Sequence, residues 1–85
     1  LGQVLNDADR KEEASEQYID ALVLAEANDF RMLQGEILAR LGEVESDRSQ
    51  KMDYLQRSLS VFRELGAVDR MREVQNSVHR AVMGN

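Results

Sequence analysis

The chain repeats itself. Leu1-Gly2-Gln3-Val4 recurs as Leu41-Gly42-Glu43-Val44, forty residues later. Ala21-Leu22-Val23-Leu24 recurs loosely as Ser58-Leu59-Ser60-Val61, thirty-seven residues later. The two offsets agree if the turn of the second hairpin is three residues shorter, and Val78, thirty-seven after Leu41, then opens a third unit. A period of this size constrains the fold severely. Units built from helix pairs cannot bury their apolar faces alone, so they must stack into a solenoid.

The hydrophobic pattern supplies the helices. Leu1 to about Leu5 reads as the tail of one, and Asn6-Asp7-Ala8-Asp9 as a turn, with Asp9 and Glu12 spaced as a capping box. A helix over about 10–27 carries Ala14, Tyr18, Ala21, Leu22 and Ala25 on one stripe. Asn28-Asp29 interrupts it, and Asn is among the residues that tolerate the left-handed conformation at a helix end. The next helix spans about 30–45, with Leu33, Ile37, Leu38, Leu41 and Val44 inward. Asp47 and Gln50 repeat the capping-box spacing ahead of a helix over about 50–65 that buries Leu55, Leu59 and Phe62, flanked by Met52 and Val61. Gly66 suits its left-handed cap. From Asp69 a last helix shows only the narrow line Met71, Val74, Val78 and Val82, as a helix covered on one side at the end of a stack should.

Composition agrees. The chain has no proline, and Ala, Leu, Glu, Gln and Arg favour helix. Its 85 residues form at most one small domain; a chain of this size buries only roughly 60–65% of its unfolded surface, so its stability margin is thin. The absence of cysteine excludes disulfides and thiolate metal sites and fits a reducing compartment, so a cytoplasmic location is expected. Apolar runs such as Ala21–Ala25 are too short for a membrane span or a signal-peptide core, and no membrane partner is expected. A start at Leu1 rather than methionine reads as a piece of a longer protein.

In order and spacing, Leu1, Gly2, Ala14, Tyr18 and Ala21 resemble the tetratricopeptide repeat: Leu-Gly on a first helix, then small, aromatic and small positions on a second. Leu5 stands where that family usually has tyrosine. The second unit matches at Leu41 and Gly42 but places Lys51, Leu55 and Ser58 at the small, aromatic and small positions. Lys51 is a departure that bears on how closely those helices cross. Asn28-Asp29 and Gly66 replace the family's closing proline, and the forty-residue spacing exceeds the usual ~34. The spacing and the Ser58–Gly66 run resemble the longer-helix variants of bacterial signalling and regulatory proteins. The resemblance implies an all-α, antiparallel helix-hairpin fold. Residues 1–27 are then the first repeat, truncated at its start, residues 28–65 the second, and residues 66–85 a terminal capping helix.

Candidate chemistry is sparse. His79 is the only histidine, so zinc lacks partners. Asn76 stands three residues before it, where a Glu-x-x-His di-iron motif needs glutamate. Arg80 follows it, unlike the acidic neighbour usual in phosphorelay histidines. Glu12, Glu13, Glu16 and Asp20 read as a solvated helix start beside Arg10 and Lys11 rather than a cation site. The six serines lack a histidine arrangement for nucleophilic attack, and no phosphate-binding glycine loop occurs. Met32, Met52, Met71 and Met83 read as gap-fillers in the core or at its ends. No enzyme and no cofactor are expected.

What remains is a surface. In the family the first helix of each pair lines a concave groove; by position that groove is Gln3 and Asn6, then Glu36, Ala39, Arg40 and Glu43, then Glu73, Asn76 and Arg80. The family's clamp for acidic chaperone tails uses Lys and Asn at such places, and Glu43 and Glu73 would repel a carboxylate. A basic or amphipathic helical protein partner is the better expectation. Residues 1–45 carry 11 acids and 4 bases while residues 46–85 carry 5 and 7, so no clustered positive charge invites nucleic acid. Three roles follow: an interaction or scaffold module of a larger regulatory or signalling protein; a purely architectural segment closing a longer solenoid, or a self-association module acting through exposed repeat ends; or, from another class, a phosphorelay bundle centred on His79.

Overall fold

In the computed structural model, which describes residues 7–83, four α-helices follow one another: α1 (Asp7–Ala27), α2 (Arg31–Val44), α3 (Arg48–Leu65) and α4 (Val68–Val82). The described residues contain no strand, so the fold is all-α. Each helix packs on its neighbour in sequence, most extensively α2 on α3. Short connections of two or three residues reverse the direction each time. Bonds between opposite ends show the reversal: Gln34 Nε2 at the start of α2 donates to Ala25 O at the end of α1, at 3.2 Å. Arg31 pairs with Glu64 at the far end of α3. Arg48 Nη2 at the start of α3 donates to Ala81 O and Val82 O at the end of α4, at 2.8 and 3.1 Å.

Two apolar clusters hold the layers together. Leu22 and Ala25 of α1 meet Ile37, Leu38 and Leu41 of α2 and Val61 of α3, with Tyr18, Ala21 and Tyr54 packed against them. Leu55 and Phe62 of α3 meet Val74 of α4, with Ala39, Leu59, Met71 and Val78 around them. The α2–α3 crossing is tight because α2 has glycines there. A Cβ on Gly35 would stand 2.6 Å from Phe62 Cε1, and one on Gly42 2.5 Å from Leu55 Cδ2. Ser58, fully buried beside them, donates from Oγ to Gly35 O at 2.7 Å.

Several expectations are corrected. The turn expected at Asn6–Asp9 lies partly outside the described residues, and α1 already runs through Asp7–Asp9, so Asp9 is inside the helix rather than its cap. The left-handed residue after α1 is Asp29 (φ 56°), not Asn28. Asn28 instead donates from Nδ2 to Leu24 O, which fixes it in the last helical turn and passes the reversal on one residue. Leu33 is 43% exposed and Val82 57% exposed; Gln34 and Gly35 take the inward places expected of Leu33. The helix α3 begins at Arg48, two residues before the expected start, because Asp47 is its N-cap and accepts from Gln50 N–H at 2.9 Å. Gly66 closes α3 with φ 69°. Lys51 does not hold the α2–α3 crossing open: its Nζ turns to the end of α2 and donates to Gly42 O and Glu43 O, at 2.5 and 3.3 Å.

Candidate partner-binding groove

Helix α3 lies between α2 and α4 and sets them side by side. They run parallel, since residues near the start of each meet: Arg70 donates through Nε and Nη2 to Glu36 Oε1, both at 2.8 Å. Between them lies a cavity of about 340 Å³. Its α2 wall is Glu36, Ala39, Arg40 and Glu43, which recur one helical turn apart. Its α4 wall is Asp69, Arg70, Glu73, Val74 and Ser77. Phe62 of α3 closes the floor.

Five of the groove residues read from the sequence, Glu36, Ala39, Arg40, Glu43 and Glu73, are thus brought together. Arg80 lies lower, at a second hollow of about 240 Å³ shared with Gly42, Lys51 and Leu55, and donates to Ser77 Oγ at 3.2 Å. Asn76 is exposed on α4 and lines neither hollow. Gln3 and Asn6 fall outside the described residues. Sequence reasoning missed Asp69, Arg70 and Ser77. The thirty-seven-residue offset held the signal for one of them, since it pairs Ser77 with Arg40; Asp69 and Arg70 pair with Met32 and Leu33, which do not line the groove, so the repeat carried no signal for them.

The electrostatics are mixed. Arg40 Nη1 pairs with Glu43 Oε2 at 3.5 Å along α2, and Arg70 bridges the two walls. Such exposed pairs contribute little stability, about 0–1 kcal/mol; they set which charges remain free. Elsewhere, His79 is exposed on α4, and Glu12, Glu13, Glu16 and Asp20 are exposed along α1. Among the described residues no group of three or more His, Asp or Glu side chains is arranged to hold a metal ion. No described helix is long and apolar enough to cross a membrane. No protein-family model, curated protein or solved structure matches the chain.

Proposed function

We propose that the chain is an interaction module that holds a protein partner in the groove between α2 and α4, as part of a larger regulatory or signalling protein. One observation carries this reading. Two helices distant in sequence are set parallel around a cavity of about 340 Å³ whose walls bear six charged side chains. The resemblance of Leu41 and Gly42 to tetratricopeptide positions supports the same surface. Function rests here on the site and on fold analogy, not on any catalytic group.

The test is a triple reversal, Glu36→Lys, Glu43→Lys and Glu73→Lys. Partner recovery by the immobilised chain should fall while the thermal midpoint moves by only a few degrees, since all three are surface positions. Unchanged recovery would favour the architectural reading.

That second reading has its own observation. Leu24 of α1 is 65% exposed, whereas Val61, its counterpart thirty-seven residues later, is 8% exposed. The face of α1 that carries Leu24 is shaped like one that α3 buries, which suits a segment that stacks on a further helix.

A further inference from the structure

We infer that the groove selects a cationic side chain, lysine or arginine, and that Asp69 and Glu73 receive it. The inference deepens the groove reading above and rests on it.

The walls carry four carboxylates against two guanidinium groups. Glu36 is engaged by Arg70 and Glu43 by Arg40. Asp69 and Glu73 take part in none of the ion pairs found among the described residues. They stand one helical turn apart on α4, so both present to one wall. The incoming cation therefore need not break the bridge that spans the groove.

Shape narrows the choice. Phe62 is 1% exposed and Val74 4%, so the floor beneath the charged rim is apolar and closed. Ala39, small and half-buried, leaves room on the α2 wall for an aliphatic stem. A long methylene chain ending in a charge fits such a lining, with the stem along Ala39 and the head at the carboxylates. An acidic partner would face the unpaired Asp69 and Glu73, since both wall guanidinium groups are already engaged by Glu36 and Glu43. The exposed acids of α1, Glu12, Glu13, Glu16 and Asp20, are a competing attractor on an open helix face, so the experiment must locate the contact as well as detect it.

Two synthetic amphipathic helical peptides, identical except that every lysine of one is glutamate in the other, are titrated into the isotope-labelled chain and followed by amide chemical shifts. The lysine peptide should move the amides of Glu36–Glu43 and Asp69–Ser77. The Asp69→Asn/Glu73→Gln variant should weaken it roughly tenfold, the size of two lost partly screened pairs. The exposed pair Glu13→Gln/Glu16→Gln should leave its affinity unchanged. Shifts confined to α1, or equal affinity in the Asp69→Asn/Glu73→Gln variant, would overturn the assignment. If both peptides bind the groove alike, the groove reading stands and the charge selection falls. If neither moves a groove amide, both fall.

Discussion

At Gly35 a single hydrogen decides how near two helices can come. A Cβ there would lie 2.6 and 2.8 Å from Phe62 Cε1 and Cζ, atoms of a rigid ring that is itself 1% exposed. Gly42 meets Leu55, whose branched end has more freedom but is equally enclosed. Gly35→Ala should gain about 1 kcal/mol of helix propensity and lose about 1–3 kcal/mol to overpacking. Urea unfolding should show a net loss of about 1 kcal/mol. The background decides the cause: with Phe62→Leu already present, Gly35→Ala should turn neutral or stabilising, since the ring it strikes is gone. A loss of the same size in both backgrounds would mean that the ring contact is not the reason for glycine. Lys51 teaches a related lesson. A residue type that looks wrong for a close crossing is accommodated because its amine reaches the carbonyls of Gly42 and Glu43.

The helix ends are joined by side chains of one element. From the first turn of α3, Asp47 caps α3 itself, Lys51 donates to the last carbonyls of α2, and Arg48 donates to those of α4. Cations at helix C-termini satisfy orphan carbonyls and complement the dipole. This one turn thus ties three helices at the same end of the stack. Asp47→Ala should cost about 1 kcal/mol and Asp47→Asn much less, because asparagine caps as well. Lys51→Met keeps most of the stem and removes the donor, so it should cost about 1 kcal/mol. Urea midpoints for the three variants check this, and an unchanged midpoint for Lys51→Met would show that water replaces the amine without loss. The Asp47 cap was legible as a spacing of acid and Gln50. The roles of Arg48 and Lys51 were not, because their acceptors lie 33 and 9 residues away and depend on how the hairpins close.

Across the whole molecule the described residues leave large apolar side chains outside. Leu24, Phe30 and Val68 are 57–65% exposed, and Ile19, Leu33 and Leu65 are 41–44% exposed. A thin stability margin and uncovered apolar surface together favour association. The chain should sediment as a concentration-dependent mixture of monomer and larger species, and Leu24→Glu should shift it toward monomer by placing a charge where Val61 is buried in the next unit. A strict, folded monomer at every concentration would count against self-association while leaving the groove reading intact, since the groove lies between α2 and α4 and α1 contributes nothing to it.

The periodicity of apolar residues and the thirty-seven-residue offset were enough to give an all-α chain, the helices at 31–44, 48–65 and 68–82 to within two residues, and most of the buried set, including Ile37, Leu38, Leu41, Leu55 and Phe62. These follow from local rules: a stripe repeats every three or four residues whatever it packs against. Tertiary structure decided the rest. It turned Leu33 outward and Gln34 inward, with the Gln34 amide reaching Ala25 O on a different helix. It placed the left-handed residue of the Asn28-Asp29 break at Asp29. It brought Arg70 to Glu36, thirty-four residues apart, and so determined which carboxylates of the groove stay unpaired. Faces are written in the period of a helix, whereas partners across a groove are set by how far one helix slides past another, and sequence spacing carries no measure of that.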